Sequence, residues 1–382
     1  MTMRSLIFII LAATLALGGC TTAPELAPMP QSAKDLMVFP PPPDEPRYIF
    51  ERSIRADIDV IPENEDDTLQ RMLTGTKKRG TALGKPYGLV VDHGRLFVGD
   101  TGRRSVMVFD IPEQKFFTFG EEDPGQLAKP LGIDIDKNSN IYVLDGTKKV
   151  IQIYNRDGKF LRTIGNPSDI NRPAGLGVNA DGSRVYAVDI GGSSYETHRI
   201  LVYDGNSGKL LSEIGKRGDK PGEFNLPRDV AVAADGTLYI VDGGNFRVQK
   251  FTPDGKFISE FGSIGRLPGQ FSRPKEIALD TDENAYVADA AFGNFQIFNS
   301  KGELLLAVGI RSATPGPTHM MLPAGVAVDS DGRVYFADQF FQKVDVYRPI
   351  GLGPTEGFTN KDMRGKYDPN AAEKDEKDVK KN

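Results

Sequence analysis

Three histidines, one cysteine and no tryptophan leave few routes to chemistry in this 382-residue chain. His93 stands in the turn Asp92-His93-Gly94, His198 closes a long glycine-rich loop and His319 lies in a later loop. A protein zinc site gathers three or four ligands at one point, so these histidines matter only if the fold brings them together. Cys20 is alone, which excludes an internal disulfide and any cysteine-rich zinc or iron–sulfur site. The acidic turns Asp136-Lys-Asn-Ser-Asn140, Asp280-Thr-Asp282-Glu-Asn284 and Asp329-Ser-Asp331-Gly332 lack the ligand series and closing glutamate of a calcium loop. They are expected to hydrogen-bond their own backbone instead. Asp189-Ile-Gly-Gly-Ser-Ser194 lacks the Lys-Ser/Thr ending of a phosphate loop, and Ser193 and Ser194 have His198 nearby but no acid to complete a triad. No catalytic residue, metal site or cofactor is assigned.

What remains is recognition chemistry. Arg103, Arg104, Lys148 and Lys149 stand in two successive short loops, and Phe246, Phe292, Phe340 and Phe341 occupy comparable loops further along. Between them lies the longest loop, Gly191 to Arg199, with Tyr195 and His198. Clustered cations steer an acidic partner over about one Debye length, ~8 Å. Exposed aromatic rings are common anchors of protein interfaces.

Those loops punctuate a sixfold repeat. Each unit opens with a proline (Pro86, Pro130, Pro173, Pro227, Pro274, Pro323) and carries an aspartate after its second apolar run (Asp100, Asp145, Asp189, Asp242, Asp289, Asp338). Successive aspartates are 45, 44, 53, 47 and 49 residues apart. The fourth unit reads as four short strands: Asp229-Val-Ala-Val, Leu238-Tyr-Ile-Val, Val248-Gln-Lys-Phe and Phe257-Ile-Ser-Glu-Phe. Four strands per ~45 residues, repeated, is the arithmetic of a β-propeller blade, and closure into a ring removes long open edges. The fold expected is all-β, a six-bladed propeller of four-stranded antiparallel blades over residues 47–349. The sixth unit stops after Val344-Asp-Val-Tyr347, one strand short, and Tyr48-Ile-Phe-Glu-Arg-Ser-Ile54 is an orphan strand upstream of the first unit. It is expected to complete blade six, with a short helix over Asp66 to Leu73 before blade one.

Tyr239-Ile-Val-Asp242-Gly-Gly-Asn245-Phe-Arg247-Val-Gln-Lys-Phe251 resembles the NHL repeat, whose pattern is Tyr-Val-x-Asp-x-x-Asn-x-Arg-Ile before an apolar strand. The arginine position is Arg199, Arg247 and Lys343 in three units but Ser105, Val150 and Asn294 in the others. The Asp/Arg pair is expected to be structural. In a propeller the blade-to-blade and second-to-third-strand loops share one face, here the top. That puts the cations, the phenylalanines, His198 and His319 on top and His93 on the other side. The zinc-dependent lyase chemistry of some NHL-type enzymes needs a histidine cluster, and this layout leaves at most a His198/His319 pair. The resemblance implies a scaffold that presents loops to a partner. The alternatives are a metal-dependent hydrolase or lactonase, and a small-molecule or polysaccharide-binding module; fold alone does not choose among them.

The ends of the chain set its expected location. Residues 1–19 read as a lipoprotein signal peptide: Arg4, an apolar run from Leu6 to Leu17, then Leu17-Gly-Gly-Cys20, with Cys20 as the lipidated residue. At ~1.5 Å per residue the run is too short to span a ~30 Å bilayer core as a helix. Acyl chains would anchor the protein stably where two or more are attached. Thr21 after the cysteine fits sorting to the outer membrane, facing the periplasm. Residues 20–46 carry eight prolines and read as a semi-rigid tether; residues 350–382 read as a charged, solvated tail. A net charge of −5 and an exported chain argue against nucleic acid, so the partner expected is another envelope protein with an acidic or apolar surface.

Overall fold

The computed structural model describes residues 37–76, 80–191 and 197–358. Within them six antiparallel sheets succeed one another, the first five each a continuous stretch of chain with its strands in sequence order. The innermost strands are Pro86–Asp92, Pro130–Ile135, Pro173–Val178, Pro227–Val232, Pro274–Leu279 and Pro323–Val328, and each packs on the next, the sixth returning to the first.

The burial gradient explains the sequence pattern. Second strands such as Leu238–Asp242 are buried along their whole length because neighbouring blades cover both faces, so they read as unbroken apolar runs. Outer strands such as Phe257–Phe261 are exposed except for the last residue. The core consists of six apolar clusters, each filling the space between two adjacent blades. Near the axis the strands run so close that side chains must vanish. A Cβ on Gly132 would lie 2.5 Å from the Leu176 backbone nitrogen, and one on Gly175 would lie 2.2 Å from an Asp229 carboxylate oxygen.

Blade six closes the ring as expected. Tyr48–Ile54 pairs antiparallel with Lys343–Pro349, Tyr48 opposite Pro349 and Ile54 opposite Val344. The expected helix is Glu65–Thr74; Asn64 caps it by accepting the Asp67 N–H at 2.7 Å, and Gly75 ends it with φ +68°. Two boundaries shift. Val38–Phe39, within the proline-rich tether, adds a fifth strand to blade six opposite Ile49 and Tyr48. Residues 350–358, assigned to the tail, fold back on blade six, where the Phe358 ring stacks 4.5 Å from the Arg333 guanidinium. Residues 1–36 and 359–382, with Cys20, lie outside the described residues, as does Tyr195. Among the described residues no helix is long and apolar enough to cross a membrane.

Candidate interaction face

The repeated aspartate builds the top face. In blade one, Asp100 accepts N–H bonds from Gly84 and Lys85 in the lead-in loop and from Gly102 and Arg103 in its own turn, at 2.6–2.9 Å. Asp145 does the same for Ala128, Lys129, Thr147 and Lys148, and Asp289 for Ser272, Arg273, Ala291 and Phe292. One buried carboxylate thus holds two loops together, a charge-assisted arrangement stronger than neutral pairs. Where the arginine of the motif is present it adds a brace. The Arg247 Nε donates to Asp242 at 3.0 Å, and its other nitrogens reach Glu260 and the Lys220 and Glu223 carbonyls. Arg199 repeats this with Asp189, Glu213 and the Asp169 carbonyl. Lys343 turns instead to Asp345 at 2.6 Å.

The turns so anchored display the expected residues unequally. Arg103 and Arg104 are exposed and Lys148 and Lys149 partly so. Arg103 rests on the Ala82 carbonyl and Lys148 on that of Gln126; among the described residues none of the four makes an ion pair. Arg104, Lys149 and Phe246 have φ of +62°, +56° and +58°, a left-handed conformation that glycine adopts at less cost. Phe340 is 59% exposed, set edge-on to the less exposed Phe341 at 5.2 Å. Phe292 is half-buried, and Phe246 packs into the cluster between blades four and five.

His198 is a correction. It is 1% exposed, and its Nδ1 accepts the Leu226 N–H at 3.1 Å, so it locks the lead-in loop of blade four rather than meeting a partner. His319 is half-buried against the Thr314 carbonyl. His93 lies on the opposite side beside Asp92, which Arg156 and Ser139 also reach from blade two. The acidic turns serve themselves. Asp136 accepts the N–H groups of Asn138 and Asn140 at 2.9 Å and the Tyr142 hydroxyl at 3.1 Å, and Asp280 and Asp329 repeat the pattern.

A narrow channel runs between the inner strands, a cavity of about 90 Å³ with Asp134, Asp229 and Glu276 among its lining. At its top mouth stand cations the sequence analysis leaves unmentioned: Arg172 and Arg273 each precede a blade's proline, and Arg228 and Lys275 each follow one. Their register against the prolines was a visible signal.

The family described as NHL repeat matches residues 224–251. The chain is a six-bladed β-propeller that carries an NHL repeat in its fourth blade. Mouse NHL repeat-containing protein 3 is 30% identical over 113 residues, 27% of this chain and 31% of that protein. A probable peptidyl-alpha-hydroxyglycine alpha-amidating lyase of Caenorhabditis elegans is 29% identical over 185 residues, 47% of this chain and 45% of its own. The chain therefore spans less than half the length of these relatives. Streptogramin B lyase shares the fold at a TM-score of 0.51 and 15% identity, covering 70% of this chain and 94% of that one.

Among the described residues no three His, Cys, Asp or Glu side chains converge to hold an ion, and the Nδ1 of His198 is already committed to Leu226. The channel carboxylates have a different character. Burial drives Asp229 up to about 7 against the pull of the Ile277 and Val230 N–H groups, and burial beside Asp229 raises Glu276 as well. The folded propeller then holds a proton on Asp229 that the unfolded chain has lost above about pH 4. Stability falls as pH rises from about 4 to about 7 and levels off above that. Asp229→Asn keeps an acceptor for Ile277 and removes this titration. Urea unfolding near pH 4, 6 and 8 should show a shallower decline and a gain on the order of a few kcal/mol at the highest pH, with Glu276 supplying the residual slope. An unchanged slope would show that Asp229 is ionised in the fold.

Proposed function

We propose that this chain is a lipid-tethered scaffold of the bacterial cell envelope that recruits another protein through the top face of its propeller. The observation that carries the reading is the composition of that face. Arg103, Arg104, Lys148 and Lys149 stand around blades one and two with no ion pair among the described residues. Exposed Phe340, together with Ile264, Leu267 and Ile310 in the loops between blades four, five and six, forms an apolar sector. A partner with an acidic patch beside an apolar one matches both sectors. Cations at an interface rim act mainly on association rate and salt dependence, and the phenylalanines would supply the anchors. Two of the rim cations occupy left-handed turn positions where glycine would cost less, as expected of positions kept for display. Cys20 supplies the anchor in this reading, and outer-membrane sorting follows from the residue after it.

The test is cross-linking in cells that process the full chain, followed by identification of co-purifying proteins. A variant carrying Arg103→Glu, Arg104→Glu, Lys148→Glu and Lys149→Glu should recover a discrete partner at least about tenfold less well, as each rim charge contributes several tenths of a kcal/mol or more. Phe340→Ala should weaken recovery at unchanged salt dependence. Absence of a discrete partner from the unaltered protein would remove the scaffold reading and move attention to the hydrolase and glycan-binding alternatives.

A further inference from the structure

The mouth of the axial channel is basic and constructed. Its backbone is held by the repeated aspartates: the Arg172 N–H donates to Asp189 at 2.8 Å and the Arg273 N–H to Asp289 at 3.0 Å. Arg228 and Lys275 are the second residues of their inner strands, one step past the proline. Lys275 reaches over to blade six, its Nζ donating to the Pro323 carbonyl at 3.0 Å, and stands 5.4 Å from the centre of the Tyr87 ring. Tyr87 comes from blade one, opposite blade four, and its hydroxyl feels the charges of Arg228 and Arg172 together with those of Glu276 and Asp229. Arg228 feels the repulsion of Arg273 and Arg172; Lys275 feels first the attraction of its neighbour Glu276 and then the repulsion of Arg273 and Arg228. Four cations from three adjacent blades therefore crowd one opening.

Among the described residues none of these four cations makes an ion pair. The acids beneath offer little compensation, since burial pushes both Asp229 and Glu276 toward their protonated forms. Like charges crowded against a protein surface repel one another more strongly than they would in open water. An oxyanion there relieves the repulsion, and guanidinium forks match its geometry. The channel itself is too small to admit a ligand, about 90 Å³ against the ~300 Å³ or more of a ligand pocket, so the ligand sits at the mouth.

We propose that this mouth binds a small, multiply charged oxyanion, phosphate- or carboxylate-bearing, through Arg172, Arg228, Arg273, Lys275 and the Tyr87 hydroxyl. The site is distinct from the rim, and its test involves no protein partner. The full chain in detergent is titrated calorimetrically with inorganic pyrophosphate and, separately, with citrate. Saturable binding of one or both is expected, weakening as salt rises; pyrophosphate alone identifies phosphate as the recognised group, citrate alone carboxylate. The double variant Arg228→Ala, Lys275→Met should bind at least about tenfold more weakly. Arg172→Ala, at an exposed position that does not support the core, should bind several-fold more weakly. Lys256→Ala on the opposite face should bind normally. Failure of both probes at millimolar concentration, or affinities that the mouth variants leave unchanged, would overturn the site.

Discussion

A chain lacking residues 1–56 is expected to lose cooperative unfolding and to self-associate, although every residue of the first five blades is still present. The reason is what Tyr48–Ile54 closes. Ile54 belongs to the apolar cluster between blades six and one, and Phe50 to the cluster between blades five and six, so one strand serves two interfaces. Glu51 pairs at 3.0 Å with Arg333, whose side chain is 1% exposed, and the Ser53 hydroxyl donates to buried Asp345 at 2.6 Å. Deleting a buried Phe or Ile side chain costs about 2–5 kcal/mol, and removing one partner of a buried ion pair about 3–5 kcal/mol. Domains are typically stable by only 5–15 kcal/mol, so the sum is of the order of the whole. The deletion also turns Lys343–Pro349 into an open edge, a template for pairing with another chain. Phe50→Ala in the full chain grades the effect, at about 3 kcal/mol or more. Urea unfolding and size-exclusion chromatography check both variants; a truncated chain that stays monomeric with an unaltered midpoint would refute the latch.

That the latch could be read beforehand depends on a deficit. Blade six ends after Val344-Asp-Val-Tyr347 with no fourth strand, and a strand-like segment stands unused near the other end. The blades were legible for a related reason: the proline and aspartate of each unit are backbone devices, needed wherever a strand begins at the axis or a turn gathers N–H groups, and so they recur regardless of surface. Other features depended on closure. Arg172, Arg228 and Tyr87 are distant in sequence, and only the ring sets them around one opening. His198 ends a loop, which says nothing of packing; its burial follows from the Leu226 N–H it accepts. Val38–Phe39 is a two-residue strand among prolines and carries no periodicity to detect. The rim cations stand out as residue types, whereas the left-handed backbone of Arg104 and Lys149 is set by the turns in which their N–H groups donate to the Asp100 and Asp145 carbonyls.

Asp242→Ala should be among the most damaging single substitutions in the propeller, and the sequence departures of the repeat say why it should exceed its counterpart in blade five. Asp242 is fully buried; it accepts the Asn225 N–H at 2.7 Å and bonds from Asn245, Arg247 and Gln249 at 2.8–3.0 Å. Without it the largely buried Arg247 keeps only Glu260 and two carbonyls, and the loop leading to Pro227 and Arg228 loses its anchor. A cost of about 3–5 kcal/mol is expected, because a buried cation is left short of its partner. Asp289→Ala also strands N–H groups, those of Ser272, Arg273, Ala291 and Phe292. Blade five has Asn294 in place of the arginine, so no buried charge is orphaned and the cost should be nearer 1–3 kcal/mol. Asp242→Asn, which keeps the Asn225 acceptor but not the charge, should fall between them. Equal losses for the two alanine variants in chemical denaturation would mean that the carboxylate acts through its N–H bonds alone and that the arginine brace contributes nothing measurable.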